Sequence, residues 1–399
     1  MMTWTAVEPL SRSDAESPFV GELKSLAVRA LQRMYRPRER LFAFRARRTK
    51  DSYTLEGTSR RYTAIALIGL AHCDDGTAES VFGGESAKDV CGRLLADLPR
   101  WTNLGDVALT IWAANEWGMD GSERSIRHLV ALAPDSGRHP TVEIAWALRA
   151  LSPLHGKLAA ADWAERIADR LLASFNGGTG LFAHWPSDLR VPWHRSHICC
   201  FADFVYPIQA LAAYSKAADH AVALAAARQS ARVMCDLQGY AGQWWWHFDH
   251  RTGAVVERYP VYAVHQNSMA PMALLDLGEV CSDDYRPAID RGLSWLARSP
   301  EIDASLLDTK RGFIWRKVAR HEPGKLARSL QAVVSRIHPS FRFPCVDALM
   351  PATWVDFESR PYHMGWILYA WRPRFLAGKF IETSKSVDEC SSAFCAPRA

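Results

Sequence analysis

Six apolar, helix-length segments recur along this chain, at 62–71, 104–117, 142–154, 206–217, 265–278 and 363–371. A segment such as YTAIALIGLA, apolar on every side, is stable as a helix only where protein surrounds it. Each is preceded by an amphipathic stretch, at 19–35, 87–98, 123–132, 162–175, 221–237 and 285–299. In these, apolar positions fall three or four apart with charges between them. An amphipathic helix followed by an apolar one, six times over, predicts six helical hairpins closed into a ring with the apolar members inside.

The connections divide into two sets. Links from inner to outer helix are mostly short (118–122, 155–161 and 279–284, with 72–86 the longest). Four links from outer to inner helix are long: 36–61, 176–205, 238–264 and 300–362. Long connections inside a compact domain are usually functional, and all four lie at the end where inner helices begin. Each opens on an aromatic, strand-like run: LFAFR (41–45), GLFAHW (180–185), GQWWWHF (242–248) and GFIWR (312–316). HFDHRTG (247–253) predicts a hairpin turn before AVVER (254–258). No Ser/Gly-rich linker interrupts the pattern. The expected layout is an N-terminal arm (1–18), one ring domain (19–379) with a small excursion at 339–351, and a mobile tail (380–399).

Composition narrows the function classes. A net charge of +5 over 399 residues, with Lys and Arg scattered, gives no basic stripe for nucleic acid. No apolar run reaches the length of a membrane span, and the polar, acid-bearing start lacks signal-peptide features. Nine Cys, an odd count in mostly single positions, read as reduced thiols in a cytoplasmic protein.

Six alternating hairpins with aromatic loops at one end resemble the (α/α)6 toroid. That all-α architecture is shared by six-hairpin glycosidases, with related lyases and sugar epimerases, and by terpenoid cyclases with protein prenyltransferases. The resemblance is architectural, covers about residues 19–374, and implies short β-hairpins in the long loops and a site at that end. The proton-initiated cyclases resemble one another in an Asp-x-Asp-Asp motif, which HCDDG (72–76) and SDD (282–284) lack. Prenyltransferases resemble one another in an Asp/Cys/His zinc site. The nearest pattern here is His194-x-x-His197-x-Cys199-Cys200, irregular in spacing and without an evident distant partner. No metal or organic cofactor is therefore expected.

A ring of six helix N-termini presents unpaired N–H groups and positive dipole ends, which favours an anionic ligand. Arg60, Arg61, Arg190, Arg195, Arg251, Arg258 and Arg360 fall at the same end, and Arg grips carboxylate or phosphate bidentately. The densest constellation runs from Glu257 to Asn267, combining an acid, a cation, two phenols, an imidazole and two amides. Such polarity at the edge of a buried helix costs desolvation unless something uses it. Glu143 stands in an otherwise apolar helix, so it must be paired or hold a raised pKa, as a general acid does.

Glycoside hydrolysis needs two facing carboxyl groups. Glu143, Asp203, Asp249, Glu257 and Asp356 are the candidates, with His265 as a further catalytic group. A lyase would take its base from Tyr259, Tyr262 or His265 and neutralise a uronate with Arg258 and Asn267. An epimerase would pair His265 with His363. Substrate contacts are expected from Arg61, Tyr62, Arg258, Tyr259, Tyr262, Gln266, Asn267, Arg360 and His363, with Trp185 and Trp245 stacking on sugar rings. The leading expectation is a carbohydrate-active enzyme on an acidic or decorated glycan, hydrolysing it ahead of lyase or epimerase chemistry, with no nucleic-acid or membrane partner. Two alternatives stand: a terpenoid-cyclase-like or prenyltransferase-like toroid that binds an isoprenoid, and a non-catalytic glycan-binding protein of polysaccharide assembly.

Overall fold

The computed structural model describes residues 17–119, 123–156, 158–193, 195–321, 326–338 and 349–374. The expected tail, most of the arm, His194 and most of the 339–351 excursion lie outside the described residues.

The chain alternates as anticipated. Outer α1 (Pro18–Met34) is followed by inner α2 (Arg60–Leu70), a short α3 (Asp75–Val81) and outer α4 (Ala87–Asp97). Inner α5 (Leu104–Glu116), outer α6 (Glu123–Ala131), inner α7 (Thr141–Leu151) and outer α8 (Leu158–Ala173) follow. Then come inner α9 (Ala202–Ala218), outer α10 (Ala221–Asp236), inner α11 (Ala270–Gly278) and outer α12 (Arg286–Ala297). A helix in the last long loop, α13 (Leu326–Ile337), precedes inner α14 (Pro361–Ala370).

Each inner helix packs on the next, α2 on α5, then α7, α9, α11 and α14, and α14 returns to α2. The ring is therefore closed. At the closure Gly69 and Gly365 bring the two backbones together; a Cβ on either would fall into the other helix's main chain. The inner helices are buried almost all round, as α5 is from Leu104 to Ala114 apart from Asp106. Outer helices bury one stripe, as α1 does with Leu23, Leu26, Ala27, Ala30, Leu31 and Met34. Aromatic rings fill the centre. Trp146 meets Tyr206 at 4.9 Å, Tyr206 meets Trp366 at 6.0 Å, and Trp112 touches Trp366 and Tyr369 at 5.4 Å each.

Ser59 caps α2, accepting from Tyr62 N, and Asn103 caps α5, accepting from Asp106 N. α9 begins a turn earlier than its apolar run suggests. Pro207 therefore lies inside the helix, where a Pro that early forfeits one main-chain hydrogen bond. A π-helical turn, His265–Met269, leads into α11.

The long loops carry small antiparallel sheets. Three follow one plan: Tyr35–Arg36 with Leu41–Phe42, Phe175–Asn176 with Leu181–Phe182, and Leu307–Asp308 with Phe313–Ile314. In each, the residue before the second strand is left-handed: Arg40, Gly180 and Gly312. The run GQWWWHF differs from expectation. Only His247 onward is strand, pairing with Ile198–Cys200 and Val255–Glu257, because Trp244 and Trp245 are instead buried as packing groups. No helix among the described residues is long and apolar enough to cross a membrane.

Candidate functional site at the ring mouth

Acids open three successive inner helices. Asp106 lies in the first turn of α5, Glu143 in that of α7 and Asp203 in that of α9. A carboxylate there also relieves the positive end of its own helix. Arg61, in the first turn of α2, bridges the first two: its Nε donates to Asp106 Oδ1 at 2.6 Å and its terminal nitrogen to Glu143 Oε1 at 3.1 Å. Asn103 joins them, accepting from Arg61 at 2.6 Å and donating to Glu143 at 3.1 Å. Glu143 is thus a paired carboxylate, its cation being Arg61; Arg149 pairs elsewhere. The pair's floor is Trp146, with the Arg61 guanidinium 5.3 Å from its ring.

Asp203 is fully buried and holds His184, whose Nδ1 lies 3.0 and 3.1 Å from the two carboxylate oxygens. The Cys200 N–H donates to the same carboxylate at 2.7 Å. The Asp203 charge pushes the His184 imidazolium up to about 11, against the opposing effect of burial.

The facing arc is basic and phenolic. Tyr62, Tyr206 and Tyr362 come from α2, α9 and α14; Tyr62 and Tyr362 meet at 4.9 Å. The Arg360 guanidinium donates to the Tyr62 hydroxyl at 3.0 Å and lies 4.6 Å from the Phe44 ring, which stacks on Tyr62. Burial raises the Tyr62 and Tyr206 phenols, keeping them protonated donors. Behind them Glu358, 2% exposed, gathers Arg45, Arg47, Arg316 and Arg360. Burial alone would raise the Glu358 carboxyl, but the Arg360 and Arg316 charges outweigh it and hold it below the usual carboxylate range. Lys317 and Arg316 extend the arc, both reaching Asp356 and both lying over the Tyr262 ring.

The other expected residues have local tasks. Asp249, completely buried, accepts from the Arg251 backbone and guanidinium and closes the hairpin turn at 249–254. Glu257 accepts from Tyr259 N and pairs with Arg320. Tyr259 donates to Glu301. Gln266 acts as a spacer between main chains, bonding both Trp244 N and Trp244 O. His265 is buried against Phe201 (4.3 Å) and Tyr262 (5.0 Å). His363 contacts Asn267 Oδ1 at 2.8 Å. Burial brings both histidines down to about 3, leaving them neutral inside the wall. Trp185 lies under Arg138, and Trp245 under Arg258. Within the pattern His194-x-x-His197-x-Cys199-Cys200, from which no metal is expected, His197 bonds the Ser335 hydroxyl and the Cys199 thiol points at the Phe248 carbonyl, while Cys200 joins the His184–Asp203 pair.

Sequence reasoning passed over His184, Arg316, Glu358 and Tyr362. The first two had a signal. With the three similar hairpins aligned, Phe44, His184 and Arg316 occupy one register position, two residues past the paired Phe42, Phe182 and Ile314.

A second polar cluster lies at the other end of the ring. Arg149 bonds Glu116 and Tyr369, Tyr369 and Gln209 bond Asp276, and Arg372 and Arg374 pair with Asp276 and Glu279. A cavity of ≈ 250 Å³ adjoins it. The long loops and the inner-helix N-termini lie at the mouth instead, which makes the mouth the better candidate site.

No protein-family model matches this sequence, and no curated protein does. Solved structures do match in fold. An unsaturated glucuronyl hydrolase specific for heparin superposes with a TM-score of 0.55 at 14% identity, covering 88% of this chain and 95% of that one. Cellobiose 2-epimerase from Bacillus thermoamylovorans gives 0.54 at 10%, covering 80% and 99%. A possible member of the GH105 family from Klebsiella pneumoniae gives 0.53 at 13%, covering 93% and 97%. The fold is the (α/α)6 toroid that the sequence pattern anticipates.

Proposed function

We propose that this protein is a carbohydrate-active enzyme, a glycoside hydrolase in type, that acts on an acidic or decorated glycan at the ring mouth. The observation that carries the reading is the sharing of one guanidinium, Arg61, by Asp106 and Glu143, opposite the basic arc of Arg316, Lys317 and Arg360. Glycoside hydrolysis uses two carboxyl groups flanking the glycosidic bond, and these two share one cation at the mouth. Glu143 is the more enclosed, its side chain 11% exposed against 29% for Asp106. It serves as the base, and Asp106 shares the Arg61 guanidinium beside it. Tyr62, Tyr206 and Tyr362 orient sugar hydroxyls, and the basic arc takes the anionic substituent.

Two of the solved neighbours are a glucuronyl hydrolase and a cellobiose epimerase, which supports sugar as the substrate class. Several carboxylates and guanidiniums at the mouth weigh against an isoprenoid pocket. The burial of His265 and His363 as neutral wall groups weighs against their acting as an epimerase base pair. The free thiols of Cys73, Cys91, Cys199, Cys200, Cys235 and Cys281 support a cytoplasmic setting.

The test is turnover of a panel of oligosaccharides with and without uronic acid or sulfate. Wild type should release reducing sugar from acidic members, and Glu143→Gln or Asp106→Asn should lower kcat by about a thousandfold. Binding without any product would favour the scaffold alternative, and unchanged rates in both variants would remove the proposed pair.

A further inference from the structure

We propose that His184, Cys200 and Asp203 form a binding site for one divalent cation of the zinc type, at the start of α9. One donor atom from each lies within 4.8 Å of the other two. The His184 Nδ1 to Asp203 Oδ2 separation of 3.0 Å is close to the roughly 3.3 Å edge of a zinc coordination tetrahedron. Only small movements would bring the three atoms around a common centre.

The surroundings already hold the ligands in place. Cys200 ends the strand Ile198–Cys200 and Asp203 lies in the first helical turn, so two ligands three residues apart bracket a rigid junction. His184 arrives from a distant hairpin, and its carbonyl is fixed by the N–H of Thr141 at the start of α7. The Cys200 N–H bonds the Asp203 carboxylate at 2.7 Å, an outer contact of the kind that orients a metal ligand. Cys199 stays out of the set, its thiol turned to the Phe248 carbonyl.

The chemistry selects the cation. Thiolate, imidazole and carboxylate together suit zinc and its neighbours, whereas magnesium and calcium take oxygen donors. Charge balances on binding: a thiolate, a carboxylate and a neutral imidazole together offset the dication. Three protein ligands leave a fourth position for water or a substrate oxygen, one helical turn before Tyr206.

Chelator-treated protein titrated with Zn²⁺ and Co²⁺ tests this. We expect one cation per chain, and a Co²⁺ spectrum with tetrahedral ligand-field bands and a thiolate charge-transfer band. His184→Gln, Cys200→Ser and Asp203→Asn should each weaken binding a hundredfold or more, and Cys199→Ser should leave it unchanged. A wild-type spectrum without the thiolate band, or one that survives Cys200→Ser, overturns the proposal. The wild-type spectrum decides the matter even if a variant fails to fold. None of these readouts involves glycan turnover, so the site and the hydrolase reading fail separately.

Discussion

Gly69 and Gly365 meet main chain to main chain where α2, the first inner helix, packs against α14, the last. These two positions have no room for a side chain, so the ring closes at a distance only glycine permits. Gly365→Ala should destabilise the protein by about 1–3 kcal/mol, the usual range for overpacking. Urea unfolding would read it as a lower midpoint at unchanged slope. An unmoved midpoint would mean the helices are free to separate.

Arg40 holds the left-handed position that Gly180 and Gly312 fill in the two similar hairpins, at φ 53° against 73° and 71°. A residue with a Cβ is strained there by about 1–2 kcal/mol. Arg40→Gly should therefore raise stability by about 0.5–1 kcal/mol, once the extra freedom of glycine in the unfolded chain is deducted. A fall in melting temperature would argue that the Arg40 side chain matters more than its backbone.

His184 should remain an imidazolium well into the alkaline range in chelator-treated protein. Its folded-state value, about 11, is above the ordinary 6.5 because of Asp203. The stability it contributes is thus complete below pH 6.5 and is lost as pH climbs towards 11. Imidazole NMR should show His184 charged at pH 9, and Asp203→Asn should return it towards neutral titration. A wild-type midpoint near 6.5 would contradict the pairing.

His265 and His363 act in the opposite direction. Burial takes both from 6.5 to about 3, so the unfolded chain takes up their protons first. Stability present above pH 6.5 should fall as pH drops towards 3, by up to about 1.4 kcal/mol per unit for each histidine. His363→Gln should flatten that acid limb in denaturant titrations at stepped pH. An acid limb of the same slope would exclude the buried imidazole as its source.

Periodicity alone located the six inner and six outer helices to within a few residues, because burial on every side and burial on one side leave different apolar patterns. That Glu143, an acid in the apolar helix VEIAWALRAL, stands out was also legible; that its partner is Arg61 was not, since the arginine in its own helix is Arg149. Roles set by tertiary pairing were not. Asp249 looks the same in sequence whether it serves chemistry or, as here, clamps a turn with Arg251. The polar load around Gln266 is spent on the Trp244 backbone. Glu358 gave no hint of its importance, because the arginines it gathers come from places as distant as residues 45 and 316. His184 and Arg316 were within reach of a closer comparison of the hairpins.

The charged network beneath the ring, with Glu116, Arg149, Gln209, Asp276 and Tyr369 from five inner helices, sits below a stack of Trp112 and Trp366. Together they stopper the barrel. A polymer cannot slide through a cul-de-sac, so whatever enters must back out by the way it came.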